Sequence, residues 1–176
     1  PFAIIYSVIP VWDILNPTLQ AVTVSVCSYA LSLLDIPVFI EGNLISIPAG
    51  RFEVASGCSG LSYFLMSITF GLFYAHLYYQ DYKRKLALFF VAMFTGLICN
   101  WTRVSVIIAI GEYSNMESPI IRDHENLGLM VYAIYMVPLL MIARRLEIPP
   151  AQLSNTSFAQ VSVTRNWYAA PLAAIV

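Results

Sequence analysis

Charge is what this sequence has least of. Only 11% of its 176 residues are Asp, Glu, Lys or Arg, and the formal net charge is -1, whereas soluble domains carry about a quarter of such residues. No Lys- or Arg-rich tract interleaved with aromatics occurs, so a nucleic-acid partner is not expected. Histidine is scarcer still, with His76 and His124 alone. No HExxH or CxxC spacing is present, which leaves a metal site without support. Neither a GxSxG elbow nor a Gly-rich phosphate loop is found, and no cofactor is expected. The three cysteines, Cys27, Cys58 and Cys99, leave at least one unpaired. Cys27 and Cys99 lie inside apolar runs, so the count does not describe a disulfide scaffold.

What the chain has in abundance is apolar surface: 59% of residues are hydrophobic and the mean hydropathy is +0.74. That composition defines a membrane protein. A spanning helix needs roughly 20 mostly apolar residues, and Gly60 to Tyr79, Leu86 to about Ile110, and Leu127 to Ala143 meet this requirement. Thr18 to Leu34 is a weaker fourth segment, because Thr18, Gln20, Thr23, Ser25, Ser28 and Ser32 give it a broad polar face; it either crosses or lies in the interface. Phe2 to Leu15 reads as the end of a span interrupted by Pro10, and Trp167 to Val176 as the opening of another. The chain begins at Pro1, without an initiator Met and already inside an apolar run, which points to a missing upstream part and leaves a signal peptide unjudged. The expected class is an all-α polytopic membrane protein with about four to six transmembrane helices. Residues 1–146 form its transmembrane domain, and 147–176 a cytoplasmic tail with the start of a further span.

Between Ile36 and Ala55 the pattern changes. Gly42-Asn43 and Ala49-Gly50 separate short β-branched or aromatic runs, a hairpin signature. Charges at Glu41, Arg51 and Glu53 place this β-hairpin at a membrane face rather than in hydrocarbon. Lys83, Arg84 and Lys85 in one loop, and Arg144-Arg145 after the third strong span, mark the cytoplasmic side. The hairpin, Cys58 and the loop from Gly111 to Asn126 are then extracytoplasmic.

Three residues with nucleophilic or charged chemistry converge on that outer side. Cys58, in VASGCSGLS, stands where the polar stretch meets a span. If Ser56 or Gly57 caps the following helix, Cys58 falls in its first turn, where the dipole favours a thiolate. Set against this, GCSG also fits a small-residue packing patch around an inert thiol. His124, in IRDHENLG, is able to take a proton from a thiol and return one to a leaving amine; as a solvated loop residue it would merely cap the next helix. His76 lies near the cytoplasmic end of its span, too far to share this site. Arg103 is the costliest of the three, a guanidinium within a span. At a rise of about 1.5 Å per residue it sits roughly 26 Å beyond Leu86, near the outer boundary of a ~30 Å core. It is placed to donate to an oxyanion, and Asn100, three residues earlier on the same face, to orient a neighbour. The competing roles for Arg103 are snorkelling to the interface and pairing with Glu53 or Glu112.

The succession EGNLISIP, FEVASGCSGLSYF, NWTRV and HENLG, each preceding or embedded in a predicted span, resembles the exosortase/archaeosortase family of polytopic membrane proteins, in order and spacing from Leu15 to Arg145. The resemblance implies a thiol protease or transpeptidase of the cytoplasmic membrane, with its active site on the extracytoplasmic side. Its substrates would be exported proteins that carry a short motif of the Pro-Glu-Pro type, a hydrophobic span and a basic end, met among membrane lipid. Carried over position by position, Cys58 attacks the scissile peptide, Arg103 stabilises the oxyanion and His124 is acid and base. Glu53, Ser59 and Asn100 are supporting candidates. Family members have further amino-terminal helices, so the chain reads as part of a longer enzyme. The rival class is a noncatalytic membrane module for transport or envelope and exopolysaccharide assembly, in which Arg103 and Asn100 matter and Cys58 tolerates alanine. An unrelated intramembrane protease, releasing product without an acceptor, is a third.

Overall fold

The structure, a computed structural model, describes residues 10–122 and 124–147, all but the last within a compact unit that spans Pro1–Leu146. The predicted features at Phe2 to Ile9, in the tail beyond Glu147 and at Trp167 to Val176 lie outside the described residues.

A 3₁₀ turn at Pro10–Leu15 runs directly into helix α1, Asn16–Ser32, whose first turn contains Pro17, a residue that fits there because its missing N–H has no helical partner to lose. Three strands follow, β1 Phe39–Glu41, β2 Leu44–Ile47 and β3 Gly50–Glu53. They form an antiparallel meander in which Ile45 opposes both Ile40 and Phe52. The turns fall at Gly42-Asn43 and Pro48-Ala49, so the expected hairpin is a three-stranded sheet.

Helices α2 Leu61–Tyr78, α3 Tyr82–Tyr113, α4 Pro119–Arg122 and α5 His124–Leu146 complete the described chain. Asp81 caps α3 by accepting a hydrogen bond from the Lys83 amide at 3.1 Å. Among the described residues, four helices are long and apolar enough to cross a membrane, at Trp12–Ser32, Leu61–Tyr78, Tyr82–Tyr113 and Asn126–Leu146. The molecule is therefore the polytopic helical membrane protein its composition demands.

Packing between the spans follows small residues. On α2, Ser67, Gly71 and Ala75 are buried at four-residue intervals, and on α3 Ala92 and Gly96 are buried at the same interval, so the two backbones approach closely without a hydrophobic driving force, as helices in lipid must. A Cβ on Gly71 would lie 2.7 Å from that of Ala92. Helix α5 closes the far end with Leu139 and Ala143 against Ala75, Tyr79, Leu88 and Ala92. There the Tyr79 hydroxyl donates to the Ala143 carbonyl and Arg84 Nη1 to the Leu146 carbonyl. Phe73, Phe94, Leu129, Met130 and Ile134 remain more than half exposed, a surface suited to lipid.

At 32 residues α3 is roughly 48 Å long, well beyond a ~30 Å hydrocarbon core. The excess length brings Val104 and Ile108 under the sheet, where they share a core with Val24, Cys27, Leu31, Ile45, Ile47 and Val54. Helix α1 hydrogen-bonds to this same end: Gln20 Nε2 donates to the Val54 carbonyl and Thr23 Oγ1 to that of Ser59. The polar face of α1 thus serves the sheet and the turn around Cys58.

Candidate functional site

Cys58 sits in a short connection whose backbone is fixed on both sides. Upstream, Val54 is buried and its amide donates to the Asn43 carbonyl at 2.9 Å. Ser56–Cys58 then form a single 3₁₀ turn, and the Cys58 amide donates to the Ala55 carbonyl at 2.8 Å. This corrects one expectation. Cys58 does not occupy the first turn of α2, which begins only at Leu61, so no free helical N–H and no helix start at Ser56 or Gly57 lie behind its thiol. Gly60 intervenes with φ 95°, a left-handed conformation that redirects the chain into α2. A Cβ there would lie 2.8 Å from Asn100 Nδ2. The same amide nitrogen donates to the Cys58 carbonyl at 3.0 Å, so Asn100, fully buried, holds the cysteine's main chain from α3.

Ser59 points the other way. It is 1% exposed, its Oγ donates to Asn16 Oδ1 at 2.7 Å and accepts from the Leu61 amide, and its carbonyl accepts from Thr23. Its role is to tie the turn to α1. Cys58 itself is partly exposed, unlike Cys27 and Cys99, which are fully buried.

His124 opens α5, immediately after the single-turn α4. Its Nδ1 lies 3.2 Å from the Ile121 carbonyl. A carbonyl oxygen only accepts, so this contact takes the proton of Nδ1, and in the neutral ring Nε2 is then the acceptor a general base requires.

Cys58 and His124 line one cleft of ≈ 130 Å³. Among the described residues the rest of its wall is Glu53 with Phe52 and Val54 at the end of the sheet, Val104, Ile107 and Ile108 from α3, and Ile121 from α4. A thiol, an imidazole and a carboxylate therefore line one depression whose other described walls are apolar, where electrostatic interactions are stronger than in bulk water. Glu53 is exposed at the rim and Cα-paired with Leu44.

Arg103 does not line that cleft. It is 6% exposed, with its guanidinium carbon 5.5 Å from the centroid of the Tyr63 ring, inside the range of cation–π attraction. The competing role, pairing with Glu53 or Glu112, is not formed. Glu112 Oε2 instead accepts from the Ala49 amide at 3.0 Å and anchors the sheet. Snorkelling is likewise excluded by burial. Arg103 Nε and Asn100 Oδ1 have no hydrogen-bond partner among the described residues, an expensive state for buried polar groups. Asn100, one turn before Arg103 on the same face of α3, holds the Cys58 carbonyl at 3.0 Å, so the arginine belongs to the same neighbourhood as the thiol.

Of the six sequence candidates, Cys58, His124 and Glu53 face one cleft, Asn100 supports the cysteine backbone, Ser59 anchors the turn and Arg103 is packed within the helices. The sequence reading missed the apolar wall and the contact between Arg103 and Tyr63. Val104 and Ile108, four apart on the helix that carries Asn100 and Arg103, were a periodic signal for the wall. No local pattern distinguishes Tyr63 from other aromatics of the span.

The fold and these residues together define a polytopic integral membrane protein with a thiol–imidazole cleft beside its small sheet. The profile of the transmembrane exosortases matches residues 1–141, and the chain belongs to that family. Comparison with curated proteins and with solved structures yielded no match.

Proposed function

We propose that the protein is a thiol-dependent peptidase or transpeptidase that cleaves carboxy-terminal sorting signals of exported proteins. The observation that carries this reading is the shared cleft of Cys58 and His124. Family membership supports it. Cys58 Sγ transfers its proton to His124 Nε2 and attacks the scissile carbonyl, and the resulting imidazolium protonates the leaving amine. The carboxyl fragment departs and an acyl-enzyme remains, to be released to an acceptor nucleophile. Arg103 lies beside the cleft rather than in its wall, and in this reading substrate binding brings its guanidinium round to donate to the oxyanion. The apolar wall suits a substrate delivered from the bilayer by its own hydrophobic tail.

Basic residues at Lys83, Arg84 and Lys85 and at Arg144 and Arg145 support an orientation in which the cleft opens on the extracytoplasmic side of the cytoplasmic membrane. The substrate class is an exported protein with a Pro-Glu-Pro-type motif, a hydrophobic span and a basic end.

The test is co-expression with a reporter bearing such a tail. Cys58→Ala and Cys58→Ser are expected to abolish processing, and unchanged cleavage by Cys58→Ala would overturn the reading in favour of a noncatalytic module. Arg103→Lys keeps the charge but loses the fork of donors; it is expected to lower processing by about a hundredfold at normal membrane levels, the scale of losing one oxyanion donor. Mass analysis of the new carboxyl end separates transfer from hydrolysis.

A further inference from the structure

Three helices carry or adjoin the candidate chemical groups: α2 begins just after Cys58, α3 bears Arg103 and α5 begins at His124. They meet at one contact. Tyr63, in the first turn of α2, places its ring 5.5 Å from the Arg103 guanidinium carbon and 5.6 Å from the ring of Tyr132 on α5. Gly128 on α5 lies against both partners. A Cβ built there would overlap the Tyr63 hydroxyl and stand 2.9 Å from Arg103 Nε and 3.2 Å from its Cδ.

His124, Gly128 and Tyr132 follow one another at four-residue intervals and so share one face of α5. The face that presents His124 at the cleft is thus the face that accepts Tyr63 and Arg103 further along the helix. Arg103 has no carboxylate within 4 Å among the described residues and its Nε is unpartnered. The Tyr63 ring and the bare backbone at Gly128 both lie against the guanidinium group and so bear on its plane.

We infer that Tyr63 and Gly128 are positioning residues: together they form a seat that orients Arg103 and turns the His124 face of α5 toward Cys58. Gly128 is required because only the absence of a side chain lets α5 approach the Tyr63 hydroxyl and Arg103 at once. Tyr63 is required as a ring, to hold a buried cation that has no ion-pair partner among the described residues. The inference rests on the peptidase reading for its kinetic consequence, but not for its geometry.

Two measurements on the full chain test it. In detergent, phenylglyoxal modification read by mass spectrometry is expected to spare Arg103 in the unaltered protein and in Tyr63→Phe, and to reach it in Tyr63→Leu. With the tailed reporter, Tyr63→Leu is expected to lose roughly tenfold or more in turnover, in line with a desolvated cation–π contact, and Tyr63→Phe distinctly less. Gly128→Ala is expected to lose at least as much as Tyr63→Leu, and the double variant Gly128→Ala/Tyr63→Phe to regain part of that loss, because removing the hydroxyl opens the space the new methyl needs. Equal protection of Arg103 in Tyr63→Leu, or a double variant no better than Gly128→Ala, overturns the seat. Retained cleavage by Cys58→Ala overturns the peptidase reading instead, and the phenylglyoxal pattern then still decides the geometry.

Discussion

Gly60 shows how much one residue controls at this site. Its φ of 95° lets the chain leave the Cys58 turn and enter α2 at once, and its bare Cα leaves room for the Asn100 amide that holds the Cys58 carbonyl. An L-residue in the left-handed region costs about 1–2 kcal/mol. Gly60→Ala is therefore expected to destabilise the protein by at least about 1 kcal/mol, seen as a lowered thermal midpoint in detergent. Displacement of Asn100 should also change the rate at which Cys58 reacts with a maleimide. At this scale the sequence was partly legible. Cys58, Arg103 and His124 were visible because a border thiol, an intramembrane guanidinium and a loop imidazole are each costly or reactive where they stand. The helix-start argument for Cys58 failed because the sequence does not reveal that Gly60 interposes a left-handed step, which delays α2 to Leu61.

Among the elements, the small sheet is anchored to α3 through a charged side chain. It sits above α3 because Glu112, near the helix end, accepts the Ala49 amide at 3.0 Å, while Ile45 and Ile47 bury themselves against Val104 and Ile108. A hydrogen bond to a charged group contributes about 1.5–3 kcal/mol. Glu112→Ala is expected to cost on that order and to raise proteolysis within residues 39–53, with Glu112→Gln losing less. Both loop turns at Gly42 and Ala49 were readable as turn chemistry, but the pairing of the outer two strands with a common centre was not. Hydropathy marks only the apolar middle of α3, whereas its helix continues from Tyr82 to Tyr113 through polar residues at both ends, held by the Asp81 cap and by the sheet.

For the whole molecule, the three cysteines offer a test of orientation. Cys27 and Cys99 are fully buried and Cys58 is partly exposed. A membrane-impermeant maleimide applied from outside intact cells is expected to label Cys58 alone, with labelling lost in Cys58→Ala. Labelling only after the cytoplasmic face is opened would reverse the proposed topology.

Composition and hydropathy were sufficient to determine a polytopic helical membrane protein, since a chain so poor in charge buries its surface in lipid or not at all. The order of its motifs was sufficient to place it in its family. Only the tertiary structure decided which candidates share a cleft. Cys58 and His124, 66 positions apart, line one cleft because α2 and α5 pack on α3 with small residues between them, and Arg103 packs against Tyr63 outside its wall. Such choices depend on helix rotation and close approach, where a single methyl at Gly128 or Gly60 decides the outcome. Steric fit between distant segments leaves no periodic trace along the chain.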